Sequence, residues 1–380
     1  MKRIIILFVL LFSVYVTIFM LHAKIVGKTI YGDGIFYFSW IRSITFDGDV
    51  DMANDYACFA ITDSQQPLGT NGKTGNKFAI GPALLWSPSY LTVKTIVGGN
   101  GCGFPYQLAV GFTSVLAAIA GLLFLYRTLT RFYPRTVSAL SVAAIAFATN
   151  MLFYGAVDPV NSHAVSFFAA SVFVTALYGS DFVFSFMTGA SFGLLLATRP
   201  QDILYVLLII PLYKKIHVPK LILGFILLFL PQLLAWQALY GKFWTSPYLA
   251  GSEGFDFLHP HILGVLLTPS SGLFLWTPIV FIACLGLPIL FMKKRTIGIP
   301  ILAIVAFQLV LIASWSTWWQ GASYSGRMFI GTLPLMGFGL SEVFWLIKKR
   351  FFQGAFLIRM LVLSLTILNM LNIFRFLLSN

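Results

Sequence analysis

Long apolar runs separated by short groups of basic residues are the feature that most constrains the fold of this chain. Several runs approach the roughly 20 apolar residues that a helix needs to cross a bilayer. The chain is 58% hydrophobic and only 10% charged, with a mean hydropathy of +0.88. These values are not those of a soluble globular protein. We therefore predict an all-α polytopic membrane protein.

The hydropathy pattern predicts eleven spans, at 4–21, 107–126, 136–153, 163–180, 182–197, 201–213, 219–236, 272–291, 297–314, 328–347 and 355–377. The spans 182–197 and 201–213 are short and have Arg199-Pro200 between them, which makes them candidates for re-entrant or strongly tilted segments. The first run also resembles a signal peptide. It is long for one, so we predict an uncleaved first span.

The net charge of +13 is best explained by orientation in the membrane. The basic residues form short groups between the apolar runs: Lys2-Arg3, Arg127/Arg131/Arg135, Lys214-Lys215, Lys293-Lys294-Arg295 and Lys348-Lys349-Arg350. With the N-terminus inside, the predicted spans place every one of these groups on the inner side, as the positive-inside rule requires. The sequence thus predicts a multi-pass protein of a cytoplasmic (inner) membrane, with the lipid bilayer but no nucleic acid as a partner.

The same topology predicts one membrane domain, 1–380, with two substantial extracytoplasmic loops at 24–107 and 237–271. Cys58 and Cys102 both lie in the first loop and can pair if that side is oxidising. Two unpaired thiols are an equal alternative.

Acidic residues are concentrated in the stretch 31–56, just after the first span. Of the twelve Asp and Glu residues in the chain, five lie here: Asp33, Asp47, Asp49, Asp51 and Asp55. An unpaired charge is costly to dehydrate. The group must therefore face water, bind a cation or carry out chemistry at the membrane surface, and we favour chemistry.

Asp47, Asp49 and Asp51 alternate with Gly48 and Val50, so on an extended segment the three carboxylates would share one face. Such a face suits a divalent cation such as Mg²⁺ or Mn²⁺. It equally suits a solvated acidic loop or hydrogen bonds to acceptor hydroxyls. No His or Cys accompanies these residues, which argues against zinc. Asp49 and Asp51 are also candidate catalytic residues beside Asp33.

Motifs along most of the chain resemble the GT-C superfamily of glycosyltransferases. They are GDGIFYF, RSITFDGDVDMANDY, NKFAIGPALLWSPSY, VDPVNSHAVSFF, LATRPQDILY, SPSSGLFLWTP and WWQGASYSGRMFIGTLP. This superfamily comprises polytopic enzymes that use polyprenyl-phosphate sugars, and bacterial lipid A aminoarabinose transferases and protein O-mannosyltransferases are relatives. The resemblance implies inverting transfer of a sugar to a hydroxyl of an envelope glycan, lipid or protein, on the extracytoplasmic face.

Asp33 matches the first-loop acid of the superfamily, and the resemblance implies that it accepts a proton from the attacking hydroxyl. A hydroxyl is a poor nucleophile at neutral pH, and a positioned carboxylate takes its proton as bonding develops. The superfamily often has Asp-Glu here, whereas this chain has Asp33-Gly34. The second acid must come from elsewhere or be absent. The alternative is that Asp33 merely caps a juxtamembrane helix.

A donor phosphate needs cations on the outer side, and the predicted topology offers Lys77, Arg199 and Arg327. Lys77 precedes GPALLWSPSY as a family lysine precedes a similar segment, and the resemblance implies contact with the lipid phosphate. A guanidinium group can hold phosphate oxygens by paired hydrogen bonds. The alternative is a snorkelling anchor, which fits Lys77 better than Arg199 with its apolar flanks.

Asp158, His163 and Tyr324 complete the set of candidate substrate-binding residues. Asp158 and His163 frame the second outer segment, where a neutral imidazole can hydrogen-bond a sugar or phosphate. Tyr324, like the tryptophans at 315, 318 and 319, is a candidate for stacking on a sugar face. Polar helix ends and aromatic belts at the membrane interface are the alternatives.

Two further functions use the same donor. A transporter or flippase of lipid-linked sugars predicts ionisable residues and helix breaks near mid-membrane, often in two symmetric halves. Here the acids are concentrated outside and the halves do not match. An envelope glycan polymerase or ligase is chemically close to the transferase, and the sequence does not separate them.

Overall fold

The computed structural model describes residues 2–61, 66–179, 182–249 and 253–379. These residues form fifteen α-helices: α1 Lys2–Val26, α2 Asp33–Arg42, α3 Ala53–Ala57, α4 Gly81–Val97, α5 Phe104–Leu129, α6 Arg135–Ala148, α7 Ser162–Leu177, α8 Phe182–Thr198, α9 Val218–Tyr240, α10 Ile262–Leu267, α11 Leu273–Trp276, α12 Ile279–Lys293, α13 Arg295–Ala313, α14 Leu333–Arg350 and α15 Gly354–Ser379. The described part of the chain contains no β-strand, only an isolated bridge between Phe255 and Trp315. The predicted all-α class is confirmed.

Most of the predicted spans coincide with apolar α-helices. Six segments are long and apolar enough to cross a membrane: α1, α5, α9, α13, α15 and Arg327–Arg350, which contains α14. The helices α6, α7, α8 and α12 are apolar but shorter. The protein is therefore a membrane protein, while the number of eleven crossing helices stays a prediction.

The predicted span 201–213 is not α-helical. Pro200–Leu208 and Ile210–Lys215 form two 3₁₀ segments, and each has a proline in its first turn. Pro211 lies inside the predicted span and, because it lacks an N–H, cannot donate the hydrogen bond that would continue the first segment into the second. The first segment packs against α8 and α13 and so belongs to the bundle.

Glycines let neighbouring helices approach closely. In the α8–α9 hairpin, a Cβ atom on Gly189 would lie 1.9 Å from the carbonyl oxygen of Leu221. In the α12–α14 pair, a Cβ atom on Gly286 would lie 1.9 Å from the carbonyl oxygen of Gly339. In lipid, where water does not drive helices together, such close backbone contact is a main source of packing energy. Substitution at either glycine would force the pair apart.

The predicted first loop, 24–107, is a folded unit. It contains α2, α3 and α4, and two buried indoles there each have a partner. Trp40 Nε1 donates to the carbonyl of Phe78 at 2.8 Å, and Trp86 Nε1 donates to Ser114 Oγ at 2.7 Å. Around these indoles packs a second core, separate from that of the bundle, which includes Phe38, Ile41, Met52, Tyr56, Ile80, Ala83 and Tyr90. Pairing of buried polar groups and a continuous apolar interior make this segment part of the scaffold.

A disulfide joins Cys58 to Cys102 within this unit, with the Cα atoms 6.1 Å apart. Cys102 N donates to Asn100 Oδ1 at 3.1 Å, and Arg42 Nε donates to the carbonyl of Asn100 at 3.2 Å. The bridge is thus tied through Asn100 to the end of α2. Of the two alternatives left open by the sequence, the structure has the paired cysteines.

The second large outer segment returns across the chain that follows α13. Gly254 N donates to Ser316 Oγ at 3.1 Å, and His261 N donates to the carbonyl of Ala313 at 2.8 Å. The rings of Phe255 and Trp315 meet at 4.5 Å. These contacts bring the predicted outer loop 237–271 against the end of α13 and the chain that follows it.

Candidate active site

The candidate site begins where the chain turns into α2. Gly32 has φ +53°, a backbone conformation that glycine adopts without strain, and Asp33 is the first residue of the helix. The next residue must also be glycine, because a Cβ atom on Gly34 would lie 2.1 Å from the carbonyl oxygen of Val160. The turn therefore fixes Asp33 against the segment before α7.

Asp33 forms an ion pair with Arg327. The distance from Arg327 Nη1 to Asp33 Oδ2 is 2.8 Å, and the side chains are 23% and 36% exposed, respectively. The sequence placed both residues on the outer side but gave no sign that they touch. The structure brings together a carboxylate and a guanidinium that solvent, and hence a substrate, can reach.

The loop that presents Arg327 is held in an unusual conformation. Gln320 has φ +63° and Ser325 has φ +53°, which non-glycine residues rarely adopt and which costs on the order of 1 kcal/mol each. Asn150 Nδ2 donates to the carbonyl of Gly326 at 3.1 Å, and Arg327 N donates to the carbonyl of Ser325 at 2.8 Å. Because Ser325 and Gly326 are fixed in this way, the backbone from which the Arg327 side chain extends is held in one position.

Tyr324 anchors the same loop and does not face a substrate. Its side chain is fully buried, and its hydroxyl donates to Asn369 Oδ1 at 2.6 Å. Its backbone N–H donates to the hydroxyl of Tyr154 at 3.0 Å. The predicted stacking of Tyr324 on a sugar does not fit this arrangement. Among the nearby tryptophans, Trp319 is 46% exposed and accessible to a ligand.

Asp158 lies beside the ion pair. Its Oδ1 atom is buried and has no hydrogen-bond partner among the described residues. Burial raises the pKa of Asp158 from 3.8 to about 7, the positive charge of Arg327 opposes this rise, and the negative charge of Asp33 adds to it. The Asp33-Gly34 sequence lacks a second acid next in the chain. Asp158 is an acid that lies near Asp33 in the folded protein although it is distant in the sequence.

A buried polar group lies behind the ion pair. Arg199 Nη1 donates to His163 Nδ1 at 2.7 Å, and the two residues are only 6% and 4% exposed. The carboxylate of Asp202 is buried nearby, and Oδ2 has no hydrogen-bond partner among the described residues. Gly331 leaves it room, because a Cβ atom there would lie 2.8 Å from Asp202 Oδ2.

Tyr37 connects this buried group to the exposed pair. Burial raises the pKa of the Tyr37 hydroxyl, while the charge of Arg199 and a hydrogen bond with Ser162 oppose the rise. Asp33 and Arg327 also act on this hydroxyl electrostatically. The site is thus a partly exposed ion pair in front of a buried wall that contains a guanidinium, an imidazole and a carboxylate.

Sequence reasoning missed Tyr37 and Asp202. Tyr37 lies in the quoted GDGIFYF motif, one helical turn after Asp33, which would have placed both on one face of a helix. Asp202 lies in the predicted span 201–213, and an acid within an apolar run is itself a signal of function.

The acidic group at 47–51 does not fit the predicted one-sided cation site. The segment is not extended, since a π-helical turn ends at Asp47 and Gly48 has φ +71°. Arg42 Nη1 pairs with Asp47 and also with Asp55, at 3.1 Å from the latter. Asp47 thus already has a cationic partner within the protein.

The other two carboxylates of this group stabilise the backbone. Asp49 Oδ1 accepts hydrogen bonds from Ser43 Oγ and Asp51 N at 3.0 and 3.1 Å. Asp51 Oδ1 accepts from Ala53 N and Thr74 N at 3.3 and 3.0 Å. Within the described ranges, no three His, Cys, Asp or Glu side chains are grouped to hold a metal ion.

Lys77 is engaged by the second outer segment. Its Nζ atom lies 2.5 Å from Glu253 Oε1 and 5.4 Å from the ring centre of Tyr248. The lysine side chain is 24% exposed. Contact with a lipid phosphate would require the phosphate to replace Glu253.

No protein-family model matches the chain, and no curated protein matches it. Its fold is similar to solved structures of the Archaeoglobus fulgidus oligosaccharyltransferase, one in complex with Zn and sulfate and one in the apo form. Both superpose with a TM-score of 0.59, at 13% and 10% sequence identity. The matches cover 96% and 97% of this chain but 52% and 55% of the archaeal one, so the chain spans about half the length of these structures.

Oligosaccharyltransferase is a GT-C enzyme. The chain therefore has a GT-C-like fold, as its motifs predicted. At this low identity the likeness concerns the fold alone.

Proposed function

We propose that the protein is an inverting membrane glycosyltransferase that transfers a sugar from a polyprenyl-phosphate donor to an acceptor hydroxyl on the extracytoplasmic face. The observation that carries this proposal is the accessible pair of Asp33 and Arg327, 2.8 Å apart. Sugar transfer needs a proton acceptor for the nucleophile and a cation for the departing phosphate. The pair offers both once the donor phosphate has replaced Asp33 as the partner of Arg327, which leaves the carboxylate free to face the acceptor hydroxyl.

The chemistry is a single displacement. Asp33 accepts the proton of the acceptor hydroxyl while the hydroxyl oxygen attacks the anomeric carbon. The bond from that carbon to the phosphate oxygen breaks, and the bonding electrons leave with the polyprenyl phosphate. Arg327 stabilises the negative charge that develops on the phosphate through charge-assisted hydrogen bonds. Because attack and departure occur on opposite faces of the carbon, the configuration inverts.

The residues around the pair have supporting roles in this proposal. Asp158 Oδ1, which has no partner among the described residues, is available to accept a hydrogen bond from the acceptor. Arg199, held by His163, adds positive potential behind the leaving phosphate. A fixed charge in a poorly hydrated wall acts more strongly than one in water.

The alternative of a transporter or flippase is favoured by one observation, the burial of Arg199, His163 and Asp202 within the bundle. Ionisable residues at such places often mark transport pathways. A polymerase or ligase would use the same displacement with a growing glycan as its acceptor or donor.

The test is Asp33→Asn, which keeps the shape of the side chain but cannot accept the proton. We expect transfer to fall by about a hundred- to ten-thousand-fold. Mass spectrometry of envelope glycans from cells that carry each variant would show the loss of one sugar. The matched controls are Asp49→Asn and Asp51→Asn, which change acids outside the proposed site.

Two outcomes would count against the proposal. If Asp49→Asn or Asp51→Asn abolishes transfer while Asp33→Asn does not, the base is in the 47–51 group. If all three variants leave glycans unchanged and the protein still moves lipid-linked sugar across vesicles, the transporter is correct.

A further inference from the structure

A second concentration of charge lies at the opposite ends of the helices that lead to the site. Six basic residues lie at the turn from α12 to α13 and at the end of α14: Lys293, Lys294, Arg295, Lys348, Lys349 and Arg350. We refer to them as the basic cluster. It takes no part in the proposed sugar transfer.

One buried acid balances only a fraction of this charge. Glu342 is fully buried, and its carboxylate accepts hydrogen bonds from Lys293 Nζ and the Tyr133 hydroxyl, each at 3.0 Å. Lys294 Nζ lies 3.8 Å from the same carboxylate. Among the described residues, the other four members of the cluster form no ion pair. The cluster therefore keeps an excess of positive charge.

An indole lies among three of these cations. The Nζ atoms of Lys349, Lys293 and Lys294 are 4.3, 5.2 and 5.9 Å from the ring centre of Trp345. Ammonium groups are attracted to the face of an indole ring. Lys349 lies closest to this ring, whereas Lys294 lies closer to the ring of Tyr133, at 4.3 Å, and donates to the carbonyl of Phe132 at 3.4 Å.

The surroundings of the cluster are apolar and exposed. Met292 is 67% exposed, Phe351 is 53% exposed and Phe352 is fully exposed. In a membrane protein such side chains face acyl chains. A molecule that contacts both these residues and the basic cluster must have an anionic head and an apolar tail.

We propose that the basic cluster binds the phosphodiester headgroup of an anionic phospholipid. Lys294 and Lys349 hold the phosphate beside Trp345, and the acyl chains lie along the exposed apolar residues next to the cluster. Basic pockets between helices are known sites for anionic headgroups. Lys293 remains with Glu342 and fixes the floor of the site.

Orientation of the chain alone does not explain this arrangement. The positive-inside rule needs cations in a loop, but it needs no convergence on one ring and no buried acid. Lys214 and Lys215 are a basic pair of that simpler kind. Among the described residues they form no ion pair, and both are exposed. They supply a matched control.

The experiment compares Lys294→Gln/Lys349→Gln with Lys214→Gln/Lys215→Gln in the purified full-length protein. Both double variants remove two charges, and the first leaves Lys293 and Tyr133 on Glu342. Native mass spectrometry would measure binding of single phosphatidylglycerol molecules from neutral detergent, with phosphatidylcholine for comparison. We expect a loss of about 30-fold for the first variant and no change for the second.

The single variant Lys349→Gln guards against misfolding, because this side chain is exposed. We expect it to lose about fivefold. An equal loss in both double variants would overturn the proposal, since only total charge would then matter. Unchanged binding in Lys294→Gln/Lys349→Gln would also overturn it. So would displacement of the lipid by millimolar inorganic phosphate, which would indicate a site for small anions.

Discussion

Arg327 and Arg199 carry the same charge but meet different surroundings. Arg327 is partly exposed and paired with Asp33, whereas Arg199 is buried and held by His163. An accessible guanidinium can exchange its partner for a phosphate. A buried one can act on a ligand only through its field.

Conservative replacement should separate these roles. Arg327→Lys replaces a planar fork by a point charge, so we expect weaker donor use, with KM for the donor raised about tenfold or more, while the fold is kept. Arg199→Lys should mainly lower thermal stability, because a buried hydrogen bond to His163 is lost. Donor titrations and melting curves of both variants would distinguish an effect on donor use from an effect on stability. Unchanged donor kinetics in Arg327→Lys would reduce that residue to a structural partner of Asp33.

Asp158 should make the stability of the protein depend on pH. Its pKa is raised by burial from 3.8 to about 7. The folded state therefore binds more protons than the unfolded state between these values, and the resulting stabilisation is lost as pH rises through about 7. Asp158→Asn stays neutral, so we expect its melting midpoint at pH 8 to exceed that of the wild type by roughly 2–4 °C.

At pH 4 the two proteins should melt alike, which is the internal control. Equal midpoints at both pH values would mean that Asp158 is ionised without penalty. Loss of transfer in Asp158→Asn would show that Asp158 is needed for function although it lowers the stability of the protein at pH 8.

The sequence could assign Asp33 and Arg327 to one side of the membrane, but not to each other. The basic residues of each loop indicate on which side of the membrane that loop lies. Contact between an acid after α1 and a cation before α14 depends on how the intervening helices pack, and no local pattern carries that information. The same holds for Asp158, which lies near Asp33 in space but far from it in the chain.

At the scale of single elements, α15 fixes the loop that carries Arg327. Asn369 on this helix is fully buried, and its Nδ2 donates to the carbonyls of Phe147 and Thr149 at 2.8 and 2.9 Å. Its Oδ1 accepts from the Tyr324 hydroxyl at 2.6 Å. One side chain thus joins α15, the end of α6 and the loop before α14.

Asn369→Leu should disturb the loop although the residue is remote from the substrate. The carbonyls of Phe147 and Thr149 would lose their donor, at about 1–3 kcal/mol each, and the Tyr324 hydroxyl would keep only its bond to the Asn369 carbonyl, at 3.2 Å. We expect a lower melting midpoint and a lower kcat. The control is Asn372→Leu, on the same helix, where a single hydrogen bond to the Trp276 carbonyl is lost. Equal effects of both changes on kcat would show that Asn369 does not specifically position the loop that carries Arg327.

Hydropathy predicted the long apolar helices but not α4. That helix contains Pro88 and begins at Gly81-Pro82, and both features are typical of loops. It is stabilised by tertiary contacts, since Trp86 and Tyr90 are fully buried in the second core. Local sequence rules fail where packing decides the conformation. For the same reason they took 24–107 for a loop.

For the whole molecule, the predicted topology has the N-terminus inside and the segment 33–61 outside. The disulfide leaves Cys284 as the free cysteine of the described chain, so Cys284→Ser gives a background without reactive thiols. We expect Asp49→Cys to react with an impermeant maleimide from outside and Lys214→Cys only after the membrane is opened. The reverse pattern would refute both the topology and the predicted face of the site.

The contact between Asp33 and Arg327 also determines at which stage of synthesis and folding the proposed site is complete. Synthesis proceeds from the N-terminus, so Asp33 emerges long before Arg327. Until α14 docks, the carboxylate has no guanidinium beside it, and the phosphate-binding half is missing. On the proposed function, a nascent chain would therefore be inert towards lipid-linked sugars already present in the membrane, and activity would arise in one late step of assembly.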